Sequence, residues 1–138
     1  MSDGRPAPQP DELSQPYWEA AREGRSVLPR CSACGLLDLP PDVVCRRCGS
    51  TEPAWTWEAV SGRGTLRSWT LVRQAFIPGL EPPYVVADVE VDEQEDLRTI
   101  ARLAGADPAN LRVGDRVETS FEPAGEWAVP VFHLADRS

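Results

Sequence analysis

The sequence predicts a mainly β protein with a short N-terminal helix, a small metal-binding ribbon and an antiparallel barrel or sandwich. Three observations support this fold class. All four cysteines of the 138-residue chain fall within residues 31–48, in two Cys-x-x-Cys-Gly units. Residues 54–134 hold several short segments in which apolar and polar side chains alternate, as they do in half-buried strands. Fourteen prolines and ten glycines imply many turns, which suit short strands better than long helices.

The composition limits the classes of function. The formal net charge is −8, and all fourteen basic residues are arginines. A strongly acidic chain is a poor candidate for sequence-independent nucleic-acid binding, which depends on basic surface. No apolar run reaches the roughly 18 residues that a membrane-spanning helix needs. The first residues lack the apolar segment of a secretory signal, so we expect a cytoplasmic protein.

Residues 1–13 are polar and proline-rich and are predicted to form a disordered tail. Residues 14–26 are predicted to form a short helix with Ser14 as its N-cap. Tyr17 and Trp18 are large side chains on a helix that is too short to be stable alone. They either pack on the ribbon or the barrel, or help to dock a partner protein, since exposed aromatic residues mark interfaces.

The paired cysteine units predict a structural zinc site within residues 27–53. Each unit can form a tight turn that points two thiolates at one position, and its glycine tolerates positive φ. Two such turns supply four sulfurs in a tetrahedron at about 2.3 Å from the metal. Ten residues separate the second cysteine from the third, and a hairpin in residues 36–44 with its turn at residues 40–42 would close this gap. The four predicted ligands are Cys31, Cys34, Cys45 and Cys48.

Three other uses of the cysteines compete with zinc. Disulfides need an oxidising compartment, and a redox Cys-x-x-Cys unit is usually single rather than doubled. Iron in a rubredoxin-like site would use the same four thiolates. We favour zinc, which in a site with four protein ligands holds the fold and catalyses nothing. Arg30, Arg46 and Arg47 lie next to the ligands and are expected to offset the negative charge of the thiolates.

Residues 54–138 are predicted to form the barrel. The predicted strands cover residues 54–60, 65–72, 84–91, 97–103, 117–121 and 129–134. In the second of these, the side chains expected to share one face are Leu66, Ser68, Thr70 and Val72. These segments make five or six strands; counted as five, the first is bent by the glycines at positions 62 and 64, and a capped helical turn at residues 107–110 precedes the fourth. Five strands with these two features describe an OB-like barrel.

The side chains offer little basis for catalysis. His133 is the only histidine, and a lone histidine is more often structural than a general base. The predicted metal occupies every thiol, and the sequence has no Gly-x-Ser-x-Gly nucleophile motif. The acidic run over residues 88–96 lacks the ligand order of a calcium loop and is predicted to be a solvated hairpin tip.

Coenzyme A requires cations for its phosphates and apolar surface for its adenine or pantetheine. Arg63, Arg67 and Arg73 fall on or near one predicted strand, and Phe76 and Tyr84 flank the loop that follows it. We predict that these residues contact an acyl-CoA or the partner protein near it. The alternative is that the arginines are ordinary surface charges and that Phe76 is a core residue.

Several motifs, in a fixed order, resemble those of a known family. They are Tyr17-Trp18, the two cysteine units around Leu39-Pro40-Pro41, Ser61-Gly62-Arg63-Gly64-Thr65, Ser68-Trp69-Thr70, Pro82-Pro83-Tyr84 and Leu111-Arg112-Val113-Gly114-Asp115-Arg116-Val117. Over residues 17–134 the chain resembles the acyl-CoA-associated zinc-ribbon plus OB-fold proteins, which are small partners of thiolase-fold enzymes. The resemblance implies a rubredoxin-like zinc ribbon, a five-stranded OB-fold barrel and no catalytic residues.

The resemblance also implies partners. Members of this family bind thiolases, thiolase-like acyltransferases or thiolase-fold aldolases of sterol side-chain degradation, with the barrel beside the acyl-CoA site. We therefore expect a hetero-oligomer with two copies of each subunit, a coenzyme A thioester at the interface, and separate hydratase subunits as further partners. The competing interpretation is a nucleic-acid-binding OB-fold and zinc-ribbon module, because five tryptophans could stack on bases. A sequence pI near 4.6 argues against it.

Overall fold

The computed structural model describes residues 7–39, 41–75 and 80–135. Its elements in chain order are α1 (Gln15–Arg22), β1 (Val27–Arg30), β2 (Thr56–Ala59), β3 (Arg63–Val72), β4 (Tyr84–Val91), β5 (Arg98–Ala104), a 3-10 turn (Pro108–Asn110), β6 (Arg116–Ala124) and β7 (Trp127–Leu134). Strands β1 and β2 form a two-stranded sheet, and β3 to β7 close into a barrel in the order β3-β4-β5-β7-β6. The mainly β fold class and the five-stranded barrel are confirmed. Within the described residues, no helix has the length and hydropathy needed to cross a bilayer.

Helix α1 is bounded by local hydrogen bonds at both ends. Ser14 occupies the N-cap position as predicted, but its side chain makes no capping bond. Instead, the Ser14 N–H donates to Asp11 Oδ1 at 2.8 Å. At the other end Gly24 has φ +77°, and the N–H groups of Gly24 and Arg25 donate to the carbonyls of Ala21 and Ala20. This pair of hydrogen bonds is a Schellman motif, which ends the helix. The predicted disordered tail falls partly on residues 1–6, which lie outside the described residues.

The segment predicted as the first barrel strand belongs to the ribbon sheet. Strand β2 pairs antiparallel with β1, so that Thr56 lies opposite Arg30 and Ala59 opposite Val27. The prediction of a hairpin within residues 36–44 was wrong for the described residues 36–39 and 41–44, which form no strand. A single bridge joins Leu37 to Arg30 instead. Alternation in β2 correctly indicated a strand, but alternation does not identify the partner strand. The domain limits at residues 27–53 and 54–138 stay predictions.

Strand β3 contains a β-bulge at Arg67. Leu66 lies opposite Val89 on β4, whereas Ser68 lies opposite Asp88, so Arg67 is an extra residue. A bulge reverses the faces of the residues that follow it. Leu66 is therefore fully buried together with Trp69 and Leu71, which pack against the same core. The prediction that Leu66 shares a face with Ser68, Thr70 and Val72 was wrong for this reason.

The barrel core is formed by inward side chains from all five strands. Strand β4 follows its predicted alternation, with Val85, Ala87 and Val89 buried. Leu111 closes the core after the 3-10 turn. The predicted cap of this turn is confirmed by the bond from the Ala109 N–H to Asp107 Oδ1 at 2.9 Å. The buried members are Leu66, Val85, Ala87, Val89, Leu103, Leu111, Val117 and Phe132.

Gly64 lies where β3 is paired on both sides, opposite Val91 on β4 and Val117 on β6. A Cβ atom at this position would overlap Val89 Cγ1 and lie 2.6 Å from the Glu90 carbonyl oxygen. We expect Gly64→Ala to lower the free energy of unfolding by about 1–3 kcal/mol, because the backbone itself would have to move. Urea denaturation followed by circular dichroism measures this. Thr70→Ala on the exposed face of the same strand is the control, and an equal effect of both substitutions would contradict the steric explanation.

The hairpin between β4 and β5 docks on the ribbon. The Gln94 amide accepts from the Leu37 N–H at 2.9 Å and donates to the Leu37 carbonyl at 2.8 Å. Leu28, Leu37 and Leu97 form a second buried cluster directly beside it. The acidic residues Asp92, Glu93, Glu95 and Asp96 are exposed, as predicted for a solvated tip, whereas Gln94 and Leu97 of the same hairpin contact the ribbon. The ribbon and the barrel are joined by apolar packing and by two hydrogen bonds between the Gln94 side chain and the Leu37 backbone.

Candidate metal centre and binding surfaces

Both cysteine units form the expected tight turns. The Gly35 N–H donates to the Cys31 carbonyl at 2.8 Å, and the Gly49 N–H donates to the Cys45 carbonyl at 2.9 Å. Both glycines have positive φ, +80° and +75°, a conformation that other residues adopt only with strain. The two units are related by this shared geometry, and each presents two sulfurs to the same point.

The four sulfurs are spaced for a tetrahedral metal. All of them lie within 4.8 Å of one another. Cys31 Sγ is 3.9 Å from Cys48 Sγ, and Cys34 Sγ is 3.7 Å from Cys45 Sγ. A tetrahedron with metal–sulfur bonds of about 2.3 Å requires sulfur–sulfur distances of about 3.8 Å. A disulfide requires about 2.05 Å, and all four cysteines are free. The donor set therefore fits zinc, and these residues would hold it as a structural ion.

The thiol pKa values are shifted in opposite directions within the cluster. The N–H groups of Cys48 and Arg47 donate to the Cys45 sulfur and lower the pKa of that thiol to about 7. At Cys48 the Ser50 N–H favours the thiolate, but burial and the three neighbouring sulfurs outweigh it and raise the pKa to about 11. Four sulfurs this close cannot all ionise without a cation among them, because each thiolate disfavours the next.

Two of the three arginines expected to offset the thiolate charge, Arg30 and Arg46, form ion pairs with carboxylates. Arg30 forms a bidentate pair with Glu58 across the ribbon sheet and donates to the Gly35 carbonyl at 2.5 Å. Arg46 pairs with Asp38, a buried carboxylate. Hydrogen bonding to Glu58 raises the pKa of Arg30, and hydrogen bonding to Asp38 raises that of Arg46. These two arginines therefore brace the turns and are neutralised by carboxylates.

Zinc and iron in this site differ in colour. We expect the metal-loaded protein to contain one equivalent of zinc by elemental analysis and to be transparent in the visible range, because Zn²⁺ is d¹⁰. An iron-loaded sample prepared by refolding provides the positive control, since iron–thiolate sites absorb visible light. Visible absorption by protein purified from its native source would contradict the assignment to zinc.

The residues predicted to contact acyl-CoA do not form one cluster. Arg63 begins β3 and pairs with Glu118 on β6, whereas Arg67 at the bulge pairs with Glu90 on β4. Arg73 follows the end of β3, so it lies roughly 30 Å along the strand from Arg63. Tyr84 is buried at the start of β4. The predicted contact Phe76 lies outside the described residues.

Tyr17 and Trp18 lie against the barrel and the ribbon. Their rings meet edge to face, with centroids 4.9 Å apart, and both side chains are partly buried. Burial raises the pKa of Tyr17 to about 12. Arg22, one turn further along α1, stacks over Trp127 of β7 at 4.2 Å. The helix is thus held on the barrel, and its two aromatic residues face a cavity rather than open solvent.

Sequence reasoning missed this cavity. Its volume is about 470 Å³, and its walls come from α1, the ribbon and the barrel. No local motif could have indicated it, since the three walls come from distant parts of the chain. Among the predicted site residues that the structure describes, Tyr17, Trp18 and Arg63 line it.

His133 has one polar partner that the sequence did not indicate. Its Nε2 lies 2.8 Å from Ser120 Oγ across the β6–β7 pair, on the outer face of the barrel. The side chain is exposed, and both residues point away from the cavity walls.

Comparisons with known proteins agree with this fold. Residues 18–54 match the model of the ChsH2 rubredoxin-like zinc ribbon domain, and residues 57–122 match that of the ChsH2 C-terminal OB-fold domain. A solved chain described as "Ltp2-ChsH2(DUF35) aldolase" superposes with a TM-score of 0.82 at 33% identity, covering 94% of this chain and 100% of that one. A DUF35-family protein of unknown function from Sulfolobus solfataricus superposes with a TM-score of 0.61 at 14% identity, which shows the fold alone.

Two curated relatives are longer proteins. The probable enoyl-CoA hydratase alpha subunit of Thermomonospora curvata is 34% identical over 132 residues, which cover 95% of this chain and 40% of the relative. The 3-oxo-4,17-pregnadiene-20-carboxyl-CoA hydratase alpha subunit of Mycobacterium tuberculosis is 35% identical over 69 residues, covering 50% of this chain and 22% of the relative. The chain thus spans less than half the length of either relative. With both domain models matched in order and the solved chain covered in full, the protein belongs to the ChsH2 family of zinc-ribbon and OB-fold domains.

Proposed function

We propose that the chain is a non-catalytic accessory subunit that binds a thiolase-fold enzyme and helps to form or cover its acyl-CoA site. The observation that carries this proposal is the similarity, over the full length of the solved chain, to a component of a structure named as an Ltp2-ChsH2 aldolase. A retro-aldolase of sterol side-chain degradation is therefore the favoured partner, and a thiolase or an acyltransferase is the alternative.

The chemistry of the described residues supports a non-catalytic role. All four thiols belong to one closed metal site, which has no position for substrate. Apart from these cysteines, the described residues contain no other group of three or more His, Cys, Asp or Glu side chains placed to hold a metal ion. The single histidine is exposed and contacts a serine on the outer wall. Catalytic groups would therefore come from the partner.

The hydratase names of the curated relatives describe proteins much longer than this chain. We propose that hydratase chemistry resides in sequence outside the region that aligns with this chain. Separate hydratase subunits are accordingly further candidate partners.

The charge distribution gives no support to the nucleic-acid interpretation. The arginines on the barrel wall are matched by carboxylates, in the pairs Arg63–Glu118, Arg67–Glu90, Arg98–Asp88, Arg102–Glu122 and Arg116–Asp92. A binding groove for nucleic acid requires an excess of positive charge along its length.

The test of this function is reconstitution. The zinc-loaded chain is mixed with an Ltp2-type thiolase-fold aldolase, and the mass of the complex is measured by size-exclusion chromatography with light scattering. We expect a stable hetero-oligomer with two copies of each subunit, and retro-aldol activity that depends on both. The chain alone should not turn over an acyl-CoA. Turnover by the isolated chain, or no complex with any thiolase-fold subunit, would overturn the proposal.

The role of the β3 arginines is tested in the assembled complex. Replacing Arg63, Arg67 and Arg73 together by Ala should weaken acyl-CoA binding by at least about tenfold, because charge-assisted bonds to phosphate are lost. Isothermal titration calorimetry with a non-reactive acyl-CoA analogue measures the affinity. Arg25→Ala with Arg112→Ala removes two other surface charges as a control. Unchanged affinity in the triple variant would show that the β3 arginines are ordinary surface charges.

A further inference from the structure

The barrel wall has an opening between β5 and β7. These two strands pair in parallel over three residues, from Arg102 opposite Val131 to Ala104 opposite His133. In the described part of the chain, the earlier halves of the two strands, residues 98–101 and 127–130, have no ladder partner across this seam. Residues from these unpaired halves, Ile100 and Ala101 of β5 and Pro130 of β7, line the same cavity.

The cavity of about 470 Å³ lies over this opening. Helix α1 provides Tyr17 and Trp18 on one side, the ribbon provides Leu28, and Val89 and Phe132 of the barrel core form the floor. The cavity is partly open to solvent, and exposed residues such as Ile100 and Arg63 line it beside the buried ones. Its volume falls within the range of about 300–1,000 Å³ that is typical of small-molecule sites.

The lining is mostly apolar, with charged groups at the edge. Two of the edge groups are already engaged: Arg98 pairs with Asp88 at 2.8 Å, and Glu93 accepts from the Ser61 N–H at 2.8 Å. Arg63 is held more loosely, in a 3.5 Å pair with Glu118 in which the side chains are 62% and 53% exposed. Apolar surface exposed in a pocket is stabilised when an apolar ligand removes it from water. The cavity offers an apolar interior and one weakly paired positive charge at its rim.

We propose that this cavity binds an apolar organic ligand with an anionic end, the apolar part lying between α1 and the barrel opening and the anion lying near Arg63. The apolar part is a linear acyl chain or a fused-ring skeleton. This site belongs to the chain itself and does not depend on any partner, so its test is separate from the test of the proposed complex.

The experiment uses the zinc-loaded full chain and two probes, dodecanoate for the linear chain and lithocholate for the fused ring. Calorimetry measures affinity, and ¹H–¹⁵N NMR maps the amides that shift. We expect at least one probe to bind in the micromolar range, with shifts concentrated at α1 and at Ile100 of β5. Binding of one probe identifies the skeleton, and binding of both supports a site that accepts either. No binding of either probe below millimolar concentration overturns the proposal.

Variants locate the site. Ser26→Phe fills the cavity from the segment before β1 and should weaken binding at least tenfold, whereas Val113→Phe adds the same ring at an exposed position (64%) away from the cavity and should not. Ile100 lines the cavity yet is 69% exposed, so Ile100→Ser carries little folding risk and should weaken binding several-fold even if Ser26→Phe fails to fold. Equal affinity in Ile100→Ser and Val113→Phe would overturn the assignment.

The anionic end is tested separately. Arg63→Gln should weaken dodecanoate several-fold and leave the affinity for neutral dodecanol unchanged. Equal weakening of both probes would show that Arg63 acts on the shape of the cavity and would overturn its assignment as the anion contact.

Discussion

Replacing Cys45 by Ser should remove the metal and unfold the ribbon. Cys45 is fully buried, and its sulfur accepts N–H bonds that favour the thiolate, so serine at this position loses both the ligand and the low-pKa group. Structural zinc contributes on the order of 10 kcal/mol to small zinc domains, because the site does not exist in the unfolded chain. We expect the zinc content to fall from one equivalent to near zero and the thermal midpoint to drop sharply. Elemental analysis and calorimetry measure the two effects.

The control is Val43→Ser, which places a hydroxyl group at an exposed position two residues earlier. It should keep one equivalent of zinc and the thermal midpoint of the original protein. If Cys45→Ser kept both, the four sulfurs would not be a metal site, and the ribbon would owe its shape to packing alone.

Leu37→Ala should separate the ribbon from the barrel. Leu37 is 1% exposed and lies in the cluster that joins these two parts, while its backbone makes both bonds to Gln94. Burying an alanine there leaves a void, and such substitutions cost about 2–5 kcal/mol. Hydrogen exchange followed by NMR should show loss of protection in the β4–β5 hairpin as well as in the ribbon.

A second substitution distinguishes packing from hydrogen bonding at this joint. Gln94→Leu keeps the size of the side chain but removes both bonds to Leu37, leaving a buried N–H without its partner. We expect the free energy of unfolding to fall by less than in Leu37→Ala, by about 1–3 kcal/mol.

If Leu37→Ala left the amides of the β4–β5 hairpin as protected from exchange as in the original protein, the ribbon and the barrel would be independent units.

Local spacing was sufficient to predict the metal centre and much of the barrel. The cysteine units contain their own turn geometry, so the four ligands follow from a stretch of eighteen residues. Strand β4 has the predicted limits, residues 84–91, because its alternation is uninterrupted. The capped turn before β6 was also readable, since Asp107 and Pro108 are a local signal.

The features that sequence reasoning missed depend on pairing between distant residues. Alternation shows which side chains share a face, but not which strand lies beside them, so β2 was placed in the barrel rather than next to β1. The polar residues of the β4–β5 hairpin suggested solvent, yet one amide side chain satisfies a ribbon backbone. The cavity has walls from three such distant parts, and no single segment carries a sign of it.

Arg67, the extra residue in β3, has no residue opposite it in the register with β4, so the pairing on either side of it does not depend on its presence. Removing Arg67 would let the two halves of β3 pair with β4 in unbroken register. Ser68 would then follow Leu66 directly and stay opposite Asp88, and Trp69 and Leu71 would still face the core opposite Ala87 and Val85. A one-residue deletion at this exposed arginine should therefore leave the core side chains in place, whereas a one-residue deletion within the continuous register of β4 and β5 would turn every side chain beyond it to the other face.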